Sequence, residues 1–143
     1  HADVLKSIDN AIPFPTVYEL VFDDRLKAKA AFKRPSEADS SKWVTDIYFE
    51  SDWQKADAKR QPLPVALDLA VLYEQILRSL IPVSNIAGEG IRDQVQRLTE
   101  IRSLENQAAK LESRMRKEKQ FNRKVELNAA LRTLRNEIDT LSK

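Results

Sequence analysis

The spacing of apolar side chains divides this chain into two parts. In "ADVLKSIDNAIP", Val4, Leu5 and Ile8 fall on one side of a short helix that Pro13 prevents from continuing. "TVYELVF" and "LKAKAAFKR" are β-favouring or alternating runs. The "DDR" between them suits a hairpin turn, because Asp tolerates tight-turn backbone. "KWVTDIYFE" is a third run, rich in aromatic and β-branched residues. These runs predict a three-stranded antiparallel meander, with "RPSEADSS" and "QKADAKRQP" as polar loops. "LPVALDLAVLYEQILRSLIP" follows, with Pro64 where a first-turn proline is tolerated and Pro82 at the exit. Apolar residues surround nearly the whole circumference of this helix, leaving a polar stripe of Asp68, Gln75, Arg78 and Ser79. A helix of that kind is expected to be buried, with Leu69, Leu72, Ile76 and Leu80 in the core of an α+β domain.

After Gly90 the period becomes helical. Ile101, Leu104, Ala108, Leu111 and Met115 step by three and four, as do Leu127, Leu131, Leu134, Ile138 and Leu141. The two seams do not join. The 12 residues from Met115 to Leu127 rotate the second seam by roughly 120° from the first at about 100° per residue. A fold-back reconciles them: pairing the seams antiparallel places Ile101 opposite Leu141 and Met115 opposite Leu127, and the chain reverses around Phe121 and Asn122, with Asn122 as the N-cap of the returning helix. The same pairing also aligns two straight helices from different chains, so a homodimer through the helical region is the competing arrangement. Val95 and Leu98 have no partner on the returning helix and are expected to pack on the globular half or on another subunit. The predicted fold is therefore α+β, a small three-stranded antiparallel sheet packed on a buried helix and followed by a long antiparallel helical hairpin (coiled coil). Its expected divisions are 1–82, a linker at 83–90 where Pro82, Ser84, Asn85, Gly88 and Gly90 cluster, and 91–143 with a turn near 121.

Composition narrows the chemistry. The chain has no cysteine, which removes disulfides, thiolate metal sites and Cys nucleophiles and fits a reducing compartment. Its single histidine is His1, read as a cloning remnant, so histidine triads and metal sites are not expected. The first residue is not Met, and the chain is expected to be a fragment or processed form of a longer one. No apolar run approaches the roughly 20 residues of a membrane helix, and a soluble, cytoplasmic protein without membrane contact is expected.

Charge is unevenly placed. Residues 1–90 hold 11 Lys/Arg against 14 Asp/Glu, and residues 91–143 hold 13 against 8. Arg114, Arg116, Lys117, Lys119, Arg123 and Lys124, with Glu118 the one acidic residue among them, gather at the proposed tip around Phe121. These seven residues, the six cations and Phe121, are the candidate nucleic-acid or partner site. Cations contact phosphates with release of counterions, and an exposed ring stacks on a base. The structural alternative is a solvated helix tip with Phe121 packed on its own hairpin, and an acidic protein is the other candidate partner.

In the first half Asp23 with Asp24, or Glu50 with Asp52, are candidate oxygen ligands for a hard divalent cation, against turn formation and solvation as the plainer explanation. Asp68 and Arg78 either line a site or form the wet stripe of a buried helix. There is no glycine-rich phosphate loop, nucleophile elbow or paired metal motif, so no cofactor is implied.

Three stretches, "VLKSIDNAIPFPTVYEL", "LPVALDLAVLYEQILRSLIP" and "KEKQFNRKVELNAALRTLRNEI", in that order, resemble the bacterial domain-of-unknown-function family numbered 4391 essentially end to end. The resemblance implies a longer natural chain with a further N-terminal segment, and it brings no established activity and no catalytic residues. It also implies a setting beside genes for helicases and DNA methyltransferases, like that of restriction-type defence systems. The leading expectation is a non-catalytic accessory module whose basic tip docks on nucleic acid or on a helicase or methyltransferase partner. The alternatives are a nuclease-like domain, its metal site completed around Asp23, Asp24 and Asp46 by the further segment, and a homodimerisation module.

Overall fold

The structure is a computed structural model that describes residues 2–12, 14–39 and 43–143. His1 and Pro13, read above as a remnant and a helix stop, lie outside the described residues, as does the end of the "RPSEADSS" loop. The chain divides into two compact units, His1–Ile81 and Pro82–Lys143.

The first unit is α+β. Helix α1 (Ala2–Ala11) precedes strands β1 (Val17–Phe22), β2 (Arg25–Pro35) and β3 (Trp43–Glu50), then a two-residue strand β4 (Gln54–Lys55) and helix α2 (Leu69–Leu80). The strands form an antiparallel sheet in the order β1-β2-β3, with β4 pairing the start of β2 in a stretch predicted to be loop. The Asp23–Asp24 turn closes the β1–β2 hairpin between the paired residues Phe22 and Arg25. Asp23 has a φ of 53°, a left-handed conformation that Asp tolerates better than bulkier residues. The register of β2 against β3 shifts between Ala31 and Lys33. Ala30, Ala31, Phe32 and Lys33 are buried in succession, so both faces of β2 are covered there.

One expectation about this unit needs correcting, and α1 buries a residue that its apolar spacing does not mark. In α1 the buried residues are Leu5 and Asp9, one turn apart, while Val4 and Ile8 are exposed. The second apolar helix is shorter and less buried than its composition predicts. Pro62 and Pro64 hold the preceding residues extended, and the helix starts only where the Asp68 carboxylate accepts from Val71 N (2.8 Å). Leu63, Val65, Leu67 and Leu69 are all exposed, and Leu77 is the fully buried residue of α2, whereas Leu72, Ile76 and Leu80 are half-buried.

The centre of this unit is polar. Asp9 and Lys33 form an ion pair (2.8 Å) whose side chains are both 0% exposed. Lys33 Nζ also donates to the carbonyls of Asp9 (3.1 Å), Ile12 (3.1 Å) and Phe14 (2.9 Å), tying the end of α1 and the segment after it to β2. Tyr48 donates its hydroxyl to Asp9 Oδ2, and Tyr73 donates to Ala31 O (2.5 Å). The Tyr18 hydroxyl is buried without a hydrogen-bond partner among the described residues.

Burial first, and the Asp9 carboxylate second, hold all three phenols above their ordinary pKa of 10.0. The folded unit therefore favours neutral tyrosines. That contribution is fully present below pH 10 and is lost as pH rises through the raised values. In an alkaline titration, tyrosinate absorbance is expected to appear together with loss of tryptophan signal from Trp43 and Trp53. Phenols that ionise near pH 10 while the fold persists would contradict this.

The second unit holds helices α3 (Ile91–Lys117) and α4 (Phe121–Leu141), which pack together. Val95, Leu98, Ile101, Leu104 and Ala108 of α3 and Leu131 of α4 are buried, and Leu111, Met115, Leu127, Leu134, Ile138 and Leu141 are half-buried, so both seams face inward. Glu118–Gln120 join the helices, and the N-cap of α4 is Gln120, with Asn122 inside the first turn. The Arg97 side chain reaches the carbonyl of Leu141 (2.7 Å) and so ties the end of α4 to α3. Among the described residues no helix is long and apolar enough to cross a membrane.

Candidate nucleic-acid interface

The tip is built from the last turn of α3 and the first turn of α4. Without glycine, the connection is held by Glu118, whose Oε1 accepts from the backbone N–H of Lys119 (2.8 Å) and Gln120 (2.9 Å). Those two bonds, Gln120 first, hold its carboxyl below the usual range, helped by Arg123 and Lys124. A carboxylate thus satisfies two of the backbone donors at this reversal.

Arg114, Arg116, Lys117, Lys119, Arg123 and Lys124 are all exposed around this connection. Arg123 lies 3.8 Å from Glu118, and the other five form no ion pair with a described residue. Helix dipoles act differently on the two sides. Arg114, Arg116 and Lys117 sit at the negative end of α3, where cations are favoured. Arg123 and Lys124 sit at the positive end of α4, whose first turn has no acidic residue, and there each cation costs a few tenths of a kcal/mol. An anion placed at the tip relieves that repulsion and meets the free N–H groups of the first turn of α4.

Phe121 is 78% exposed and Val125 52%. Phe121 therefore does not pack into its own hairpin. With Met115, Arg116, Lys124 and Asn128 these two line a shallow hollow of about 420 Å³ on one side of the tip.

The carboxylates considered for a metal are otherwise engaged or dispersed. Asp23 and Asp24 form the hairpin turn. Glu50 pairs with Lys27 (2.8 Å) and Lys29 (3.0 Å), which in that order draw its carboxyl below the usual value. Asp68 caps α2, and Arg78 pairs with Glu74 (2.8 Å). Asp46 and Asp52 are exposed. Among the described residues no three His, Cys, Asp or Glu side chains come together as a metal site.

Sequence reading missed two buried ionic centres, Asp9 with Lys33 and Arg97 with Glu89. The one available signal was position: Asp9 lies one turn from Leu5, and Arg97 lies between Val95 and Leu98 of an apolar stripe.

The fold and its charged end define an α+β unit joined in sequence to a helix pair with a cationic tip. The chain belongs to the family described as "Domain of unknown function (DUF4391)", whose family model matches residues 1–138 of the 143. No match was found among curated proteins or among solved structures.

Proposed function

We propose that the protein is a non-catalytic accessory module that docks on nucleic acid through the tip between α3 and α4. The observation that supports this most is the set of five exposed cations without an ion-pair partner among the described residues, one of which, Lys124, stands at the positive end of α4. Such a cluster lacks protein counter-charges, and phosphates supply them with release of counterions. In this reading the α+β unit is the body that attaches the tip to a DNA-processing partner, such as the helicase or methyltransferase that the family's setting implies.

The test is fluorescence anisotropy with labelled DNA at several salt concentrations. Wild-type protein is expected to bind unrelated sequences with similar affinity and a steep salt dependence. Changing Arg116, Lys117 and Lys119 together to Gln is expected to make that dependence shallower by roughly 0.7 to 0.9 log units for each phosphate that is no longer neutralised. The fold is retained, since all three side chains are exposed. Wild-type protein without salt-sensitive binding would overturn the proposal.

A further inference from the structure

We infer that the hollow beside the tip receives an unpaired nucleobase, so that the ligand of the tip is single-stranded nucleic acid. This deepens the proposed docking on nucleic acid and rests on it. Phe121 is the one aromatic residue in the 62 residues from Pro82 to Lys143. In a helix pair an aromatic ring is most stabilising inside the seam, where it removes the largest apolar area from water. Here Leu127 and Leu131 fill the seam while the ring stands 78% exposed at the tip.

The surroundings of the ring match what a base requires. Phe121, Lys124, Val125 and Asn128 are spaced three, four and seven residues apart and share one face of α4. Phe121 and Val125 supply apolar surface for the flat face of a base. Arg116 from α3 and Lys124 from α4 line the same hollow as partners for the flanking phosphates. Neither forms an ion pair with a described residue, so the charge complementarity is open to a ligand.

Asn128 also lines the hollow, and its amide makes no hydrogen bond to a described residue. An amide carries both a donor and an acceptor, the pairing that reads the edge of an adenine. A duplex keeps the flat faces of its bases stacked inside and presents phosphates and base edges to such a surface. It would engage the cations and leave Phe121 and Val125 in water. A single strand engages both.

The experiment compares the full chain with a labelled oligonucleotide of about 16 nucleotides, as single-stranded DNA, as single-stranded RNA and as duplex DNA of the same sequence, at one salt concentration. Wild-type protein is expected to bind the single strands at least tenfold more tightly than the duplex. Phe121→Ala is expected to lower the ratio of single-strand to duplex affinity by roughly 5- to 150-fold, and Phe121→Trp to retain it. Asn128→Ala is expected to reduce any preference for oligo-dA over oligo-dT. Circular dichroism checks that each variant keeps its helices. Equal affinity for single strand and duplex, or a ratio unchanged by Phe121→Ala, overturns the inference. If the Arg116, Lys117 and Lys119 variant still loses its salt dependence, that failure leaves docking on nucleic acid in place. Absence of salt-sensitive binding by the wild type overturns both.

Discussion

Lys33→Met is expected to destabilise the α+β unit by about 3 to 5 kcal/mol, a large part of the roughly 5 to 15 kcal/mol typical of a folded domain. The two side chains of the Asp9–Lys33 pair are fully buried, and the ammonium is close to four oxygens, one carboxylate and three carbonyls. Methionine fills similar space and leaves all four acceptors facing a non-donor. An uncompensated buried carboxylate dominates the cost, and the orphaned carbonyls add to it. Asp9→Asn is expected to cost less. The ammonium keeps its three carbonyls and the amide oxygen, although a buried cation then lacks its counter-charge. Tryptophan fluorescence in urea measures both, because both tryptophans, Trp43 and Trp53, belong to the first unit. The ordering is the informative part: a loss at Lys33→Met no greater than at Asp9→Asn would show that the backbone acceptors contribute little.

In the second unit Arg97→Met is expected to have an effect of similar size. Arg97 uses four N–H donors: Nε and Nη2 grip Glu89 (both 2.8 Å), Nη2 also reaches Ser84 O (2.6 Å), and Nη1 reaches Leu141 O (2.7 Å). One guanidinium thus fastens the segment after Pro82, the body of α3 and the end of α4. Its side chain and that of Glu89 are 9% and 10% exposed. The Glu89 carboxylate, first among the causes, holds the guanidinium above its ordinary pKa, so it remains charged throughout the working range. Removing it takes the counter-charge from a nearly buried carboxylate, at about 3 to 5 kcal/mol. Arg97→Lys keeps the charge and gives up the planar fork, so an intermediate loss is expected. Arg135, 60% exposed and paired with Glu112 at 2.7 Å, serves as the control: Arg135→Ala is expected to cost less than about 1 kcal/mol. Helical circular dichroism in denaturant follows this unit, which contains the two longest helices. Equal losses at Arg97 and Arg135 would contradict the clamp.

The elements could be read in the sequence to the extent that local pattern decides them. Alternation and β-branching in "TVYELVF" and "KWVTDIYFE" mark strands that the sheet contains, and the two seams mark the helices that pack together. The polarity pattern of "LPVALDLAVL" was misleading. Composition reported how apolar these residues are, but not that two prolines and the Asp68 cap would delay the helix and leave Leu63, Val65, Leu67 and Leu69 in water. The candidate site was legible because its cations are neighbours in sequence. The hollow was not, since Met115 and Arg116 meet Phe121, Val125 and Asn128 only after α4 turns back along α3.

By itself, then, the sequence determined the α+β content, the period of each element and the concentration of positive charge between residues 114 and 124, because each depends on residues close together in the chain. Only the tertiary structure decided which charged groups are buried. Asp9 and Lys33 are 24 residues apart, and Arg97 and Leu141 are 44 apart. A charged side chain is a surface residue until a partner from elsewhere in the chain satisfies it. Whether such a partner arrives is settled by the packing of α1 against the sheet and of α3 against α4, which no local pattern encodes.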